Sequence, residues 1–217
     1  MSVAAPVPGA PTDPDAMTES TPATTAAATT AGAVAPLPHL GVIRARGEEA
    51  AKFLHGQLTN DFSLLGASEA RLAALCSAKG RMLASFVGFK GQPGEVLLVC
   101  SRDLLPTTLK RLQMFVLRAK VKLEDVSAEF ELRGLLGGGG ADRPWTRRDG
   151  ADGSHTIALY PAAGQARALW VAPAGTPAPA GTPASTGQWD WLEVMSGVAT
   201  VTQPVVEAFV PQMLNYE

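Results

Sequence analysis

The stretch that decides the fold is Leu75–Phe89, LCSAKGRMLASFVGF. It reads as two strands joined by a tight turn. Leu72, Ala74 and Cys76 alternate with their neighbours before the turn, and Met82, Ala84, Phe86 and Gly88 alternate after it. A period of two marks a strand with one face on a core. Lys79-Gly80 lies between, and glycine accepts the positive φ that a two-residue hairpin turn demands. Lys79 and Arg81 then flank a turn tip whose free backbone amides suit an anion such as a carboxylate or phosphate. The plainer alternative is a solvated tip with two charges that aid solubility.

Working upstream, GVIRAR (41–46) reads as a strand. Gly47-Glu48-Glu49 opens a helix whose acidic first turn suits the positive end of the helix dipole. Ala50, Phe53, Leu54 and Leu58 recur at helical spacing, and the helix is expected to stop between Gln57 and Asn60. His55 lies on it as a surface residue, because His39 and His155 offer no metal-ligand spacing.

Downstream, Gly91-Gln92-Pro93-Gly94 is a turn and Glu95–Cys100 an apolar strand. Ser101 or Asp103 caps the next helix, which carries Leu105, Leu109, Leu112, Phe115 and Val116 on one side and ends at Arg118. A strand follows over Ala119–Glu124. Lys110, Arg111, Arg118, Lys120 and Lys122 form either an anion patch or the wet face of a helix and strand; the second is preferred for Lys120 and Lys122. Phe130–Leu136 is a strand, Gly137–Gly140 breaks it, and strands are expected over 154–160 and 166–172. Residues 172–187 hold PAGTPA twice and read as a flexible insertion. Trp189–Ser196 forms a short helix capped by Gly197, its tryptophans in core or pocket wall. Strands with short connections and few helices indicate α+β with antiparallel sheets.

The 217 residues suffice for a sizeable core, with 46% hydrophobic and 18% charged. A net charge of −2 gives no reason to expect direct nucleic-acid binding. No apolar run reaches the length of a membrane span. Cys76 and Cys100 lie in apolar strand patterns and belong to no C-x-x-C pair, so both are expected reduced and buried, with no cysteine metal site. Residues 1–36 are rich in Ala, Thr, Pro and Gly and are expected to be a disordered tail without signal-peptide features. Met17 is an alternative start, and order is expected from Leu37.

Three blocks, HGQLTND (55–61), CSAKGRM (76–82) and WLEVMSGVATV (191–201) with the FVPQMLN (209–215) that follows, resemble the YgfZ family of folate-binding proteins, relatives of the glycine-cleavage T protein. They occur in that family's order, and the resemblance covers residues 37–217. It implies a T-protein/YgfZ-like folate-binding region with tetrahydrofolate as ligand. It also implies a cytoplasmic role in iron–sulfur cluster assembly or repair and in tRNA modification, with iron–sulfur proteins as clients and no membrane. The family's K-G-C-Y-x-G-Q-E motif, with its essential cysteine, and its C-terminal barrel domain find no counterpart up to Glu217. Either a fragment or a truncated protein is the expectation, and an inactive remnant is a third reading.

The T protein is an aminomethyltransferase, and its adjacent aspartates fall here on Ala84 and Ser85, neither of which can move a proton as a carboxylate does. Its pterin-binding glutamate falls on Met195, with Glu193 two positions earlier. One-carbon transfer is therefore the lesser alternative, and no catalytic residue is assigned. For folate, Gln57, Asn60 and Asp61 can pair with the pterin's amino edge. Trp191 and Met195 can wall the ring, Glu193 can stand in for the glutamate, and Lys79, Arg81 and Arg118 can meet the glutamate tail. The competing account of Thr59-Asn60-Asp61 is that they cap and turn the chain.

Overall fold

The computed structural model describes Met1, residues 32–138 and residues 142–216. Its strands in chain order are β1 (Ala33–Pro36), β2 (Leu40–Arg46), β3 (Ala70–Cys76), β4 (Met82–Lys90), β5 (Glu95–Ser101), β6 (Lys122–Asp125), β7 (Phe130–Leu136), β8 (Arg147–Asp149), β9 (His155–Ala162), β10 (Gln165–Pro173) and β11 (Thr182–Pro183). The α-helices are α1 (Ala50–His55), α2 (Leu105–Met114) and α3 (Thr186–Ser196). One sheet has the order β3-β4-β5-β2-β6 and is antiparallel throughout; the other runs β11-β1-β7-β10-β9-β8, antiparallel except for the short β1/β11 pair. The α+β, antiparallel reading holds.

β5 sits at the centre and is buried along its whole length. Val96, Leu98 and Cys100 pack with Phe53, Leu54, Leu105 and Leu112 of α1 and α2. Leu97 and Val99 point the other way, into a second core with Leu136, Ile157, Leu169 and Val171 of the second sheet. A strand covered on both faces has no polar side to alternate with, hence the unbroken EVLLVC.

The β3–β4 hairpin pairs Ala70 with Phe89 and Cys76 with Met82. Its tip is a three-residue loop rather than the expected two. Ser77 N–H donates to the Arg81 carbonyl, Gly80 N–H donates to the Ser77 carbonyl, and Gly80 takes φ +73°. This is a turn ending in a left-handed residue, where glycine costs least. A register shift at Leu75/Cys76 turns Met82 away from Ala84 and Phe86, so those three do not share a face as the alternation suggested. Met82 and Ala74 instead pack with Val201 and Tyr216, and Cys76 is half-buried against the same cluster.

Several boundaries move. Order extends to β1, before Leu37; the rest of the expected tail, residues 2–31, lies outside the described residues. α1 ends at His55, and Glu49 serves as its N-cap residue while its carboxylate accepts from Lys120 N–H at 2.8 Å. α2 ends at Met114, short of Arg118, and β6 begins at Lys122. Asp103 does not cap α2; it accepts from Ser101 Oγ at 2.7 Å and from Gln203 N–H at 2.9 Å, tying down the C-terminal segment. The far end of the 172–187 stretch is structured: β11 pairs with β1, and Ser185 Oγ caps α3 by accepting from Gln188 N–H at 3.1 Å.

α3 closes at Gly197 and lays Trp189 over β7. A Cβ at Gly134 would stand 2.1 Å from the Trp189 ring, so only glycine lets the indole come this close to the sheet.

Candidate functional site

Helical periodicity divides α3 into two faces. Trp189, Leu192 and Glu193 turn inward, while Trp191, Val194 and Met195 are exposed. On β10, Arg167 shares the inner face with Leu169, three per cent exposed, and its guanidinium lies 4.5 Å from the centre of the Trp189 ring. A cation on an indole face gains from the ring quadrupole once both are out of water. Ser85 on β4 accepts from Val201 N–H at 2.8 Å, which draws the C-terminal segment across the sheet edge. Tyr216 completes the wall, its hydroxyl donating to the Ala199 carbonyl.

These groups line a cavity of about 40 Å³ between the sheets, with Trp145, Leu159 and Thr200 among its walls. That space holds a few waters. Its lining is polar in a particular way. Arg167 Nε and Nη2 and Trp189 Nε1 are buried and have no hydrogen-bond partner within the described protein. Glu193 accepts from Thr200 Oγ1 at 3.2 Å. Burial pushes the Glu193 carboxyl above the usual carboxylate range, and the Arg167 charge and the Thr200 hydroxyl pull it part of the way back. Burial likewise lowers the Arg167 guanidinium, opposed by Glu193. Buried donors without acceptors are uncommon and expensive, so these groups call for an acceptor, which a water or a ligand can supply.

A wider groove of about 1120 Å³ adjoins the cavity and shares Trp145 and Val198 with it. Trp145 has φ +69°, a conformation that bulky residues rarely hold. Two backbone bonds pin it, N–H to the Ala158 carbonyl at 2.7 Å and carbonyl from Ala70 N–H at 2.9 Å, and its ring packs edge-on to Tyr160 at 5.6 Å. Strain held in this way belongs to sites where one side chain must stand at one place.

Of the residues singled out from sequence, Glu193 lines the cavity and Asn60 lines the groove. The other residues assigned to folate from sequence line neither. Trp191 and Met195 are 52% and 53% exposed and wall nothing. Asp61 accepts from Ser63 N–H and Leu64 N–H at 2.7 and 3.1 Å, and these bonds to Leu64 and Ser63 hold its carboxyl below the usual range; it caps a turn. Asn60 Nδ2 donates to the Leu72 carbonyl at 3.1 Å. Gln57 is half-buried beyond α1. Lys79 is exposed at the hairpin tip, and Arg81 Nη1 donates to the Ala208 carbonyl at 3.1 Å. Arg118 is exposed after α2.

Arg167, Trp145 and Tyr216 were missed. The signal for Arg167 was present: in QARALWVAP it occupies an inward position of an alternating strand, where a charge needs a reason. Two further groups bear on chemistry. His39, Asp190 and Glu193 bring ligand atoms within 4.8 Å of one another, a placement no sequence spacing foretold; the Arg167 charge acting on Glu193 works against a cation there. The Cys100 thiol is pushed up to about 12 by burial, and burial raises Cys76 as well, so neither is a ready thiolate.

No protein-family model matches the chain. It is 27% identical over 194 residues to the tRNA-modifying protein YgfZ of Colwellia psychrerythraea, covering 83% of this chain and 59% of that protein. It is 30% identical over 112 residues to the mitochondrial iron–sulfur cluster assembly factor IBA57 homolog of Mycosarcoma maydis, covering 46% of this chain and 28% of that one. The chain thus spans 59% of the first of these relatives and 28% of the second. Among solved structures it resembles the glycine cleavage system aminomethyltransferase T of Bartonella henselae, with a TM-score of 0.56 at 14% identity over 67% of this chain and 43% of that one. The resemblance to YgfZ proteins and the T-protein-like fold therefore both stand. Among the described residues, no helix is long and apolar enough to cross a membrane.

Proposed function

We propose that this chain is the folate-binding region of a YgfZ-type accessory protein, with tetrahydrofolate as its ligand and the maintenance of iron–sulfur proteins in the cytoplasm as its role. The observation that carries the folate part is the buried, unpartnered Arg167 beside Glu193 in the cavity behind Trp145. A pterin's polar edge presents an oxo acceptor next to ring N–H and amino donors. One guanidinium and one carboxyl supply the complementary pair, and Trp145 supplies an aromatic wall. The cavity admits a ring only after its wall parts, and Trp145 and Val198, common to cavity and groove, stand where it would part. Folate binding would orient and shelter the pterin; it calls for no proton transfer by the protein.

The role in iron–sulfur maintenance draws on the names of the relatives, one a tRNA-modifying protein and one an iron–sulfur cluster assembly factor. Aminomethyl transfer draws no support from the site. Ala84 and Ser85 stand where the T protein has its aspartates, and Ser85 Oγ is engaged by Val201. Glu193 is the cavity's one carboxylate among the described residues, and its place beside Arg167 suits holding a ring better than activating an amine.

Calorimetric titration with tetrahydrofolate tests the site. The parent is expected to bind, and Arg167→Met and Glu193→Gln each to weaken binding roughly tenfold or more, the loss of one charge-assisted hydrogen bond. Arg81→Ala and Arg118→Ala are expected to leave it unchanged. A parent that binds equally well without Arg167 or Glu193 places the ligand elsewhere. The wider role is tested by expressing the chain in bacteria that lack their YgfZ protein and measuring iron–sulfur enzyme activity, which is expected to rise.

A further inference from the structure

We propose that residues 198–216 are a gate over the cavity and that the hairpin tip is its latch, with Arg81 as a positioning residue; the proposal rests on the cavity being the pterin site. A space of about 40 Å³ takes no pterin until a wall moves. Apart from Trp145 and three others, every residue of its lining stands on a strand or on α3. Trp145 is pinned through both its N–H and its carbonyl. The three others, Val198, Thr200 and Tyr216, come from one segment whose only regular structure is two short 3₁₀ turns, Gln203–Val205 and Pro211–Met213. The wall therefore parts between a fixed Trp145 and a movable Val198.

The segment is built to move as one body. Tyr216 donates its hydroxyl to the Ala199 carbonyl, which draws the two ends together. Its apolar side chains form a cluster of their own: Val201 and Tyr216 pack with Ala74, Met82 and Leu104, and none of these five belongs to either main core. It leaves α3 at Gly197, where nothing among the described residues stands within 4 Å of a Cβ position, so the chain can turn there without displacing a neighbour. Lifting the segment exposes its own cluster and leaves both sheets packed, a local opening short of unfolding.

Hydrogen bonds hold it shut. Val201 N–H donates to Ser85 Oγ, Gln203 N–H to Asp103, and Thr59 Oγ1 to the Tyr216 carbonyl. The hairpin adds its own. Met82 N–H donates to the Phe209 carbonyl and the Met82 carbonyl accepts from Glu207 N–H, both at 2.9 Å, while Arg81 Nη1 donates to the Ala208 carbonyl between them. The tip thus grips the middle of the gate although it lines neither cavity nor groove. A latch made in the empty and the filled state alike changes how often the gate opens, not how tightly the ligand is held.

Two measurements on the whole chain test this. Hydrogen exchange of the free protein should show the amides of Val201, Gln203 and Glu207 exchanging through one common opening, faster than the Leu98 amide of β5. In stopped-flow tryptophan fluorescence with tetrahydrofolate, Arg81→Ala should raise the association and dissociation rates together, by roughly two- to tenfold for the loss of one hydrogen bond, with the affinity unchanged. Arg81→Lys should fall between. Rates that match the parent, a rise in dissociation alone, or gate amides that exchange only together with Leu98 overturn the gate and leave the pterin site standing. A parent that binds no tetrahydrofolate removes the pterin reading and the gate with it.

Discussion

The two faces of the central sheet are built to different ends. Toward the helices, Leu98, Val96 and Phe86 meet Phe53, Leu54 and Leu112 in a core of apolar side chains. Toward the second sheet, a few ångströms away through the same strands, Val99 and Ser85 look onto Arg167, Glu193 and the Trp189 indole. Close packing of apolar groups is the cheapest way to close a core. The second face departs from that solution, burying a guanidinium that the protein itself does not satisfy. One face is an apolar core throughout, and the other joins an apolar core to a buried charged cavity.

The largest expected effect sharpens that contrast. Leu98→Ala opens a hole in the helix-side core and should cost about 2–5 kcal/mol in chemical denaturation, while the tetrahydrofolate affinity of the folded fraction stays as it was. The cavity face should answer the other way. Arg167→Met combined with Glu193→Leu replaces buried charge by apolar volume. It should leave stability unchanged or raise it by about 1–4 kcal/mol, with folate binding lost. A marked destabilisation of the double variant would mean that the pair holds the fold, and the contrast would fail.

These two faces also differ in how much of them was legible. The helix-side core followed from spacing, because apolar burial writes a period into the chain: Ala50, Phe53 and Leu54 on α1 and the unbroken run of β5 were readable. The hairpin was readable too, except that its loop length and the bulge before Met82 depend on backbone bonds that leave no pattern. The cavity assembles Ser85, Arg167, Glu193 and Tyr216 from distant parts of the chain, and no spacing joins them. Glu193 was reached through resemblance. Trp191 and Met195 were misplaced for a reason the helix itself supplies: at about 100° per residue, Leu192 and Glu193 fall on the same side as the buried Trp189, and Trp191, Val194 and Met195 fall away from it. Asp61 illustrates the plainer account prevailing, a carboxylate engaged by its own turn.

Smaller effects follow. Gly80 has open space around its Cβ position, so Gly80→Ala meets only the cost of positive φ, about 1 kcal/mol. The hairpin tip lines neither the cavity nor the groove, so ligand affinity should not change; a loss of affinity would bring the tip back into the site. The smallest concerns pH. Glu193 is raised above its ordinary 4.5, so between that value and its folded value the native state holds a proton that the unfolded chain releases. Stability from this group is present below pH 4.5 and lost as pH rises through the folded value. The melting temperature of the parent relative to Glu193→Gln should therefore decline across that window and then level off. A difference that grows with pH would mean that Arg167 outweighs burial.

The most direct measurement of the central claim uses the tryptophans as reporters. Trp189 lines the cavity with its indole N–H unpartnered, whereas Trp170 is buried in a separate cluster with Leu135 and Ala172. In nitrogen-15-labelled protein titrated with tetrahydrofolate, the Trp189 indole resonance should shift in step with binding, and the Trp170 resonance should stay in place. Saturable binding with an unmoved Trp189 signal would contradict the account and put the ligand outside the cavity.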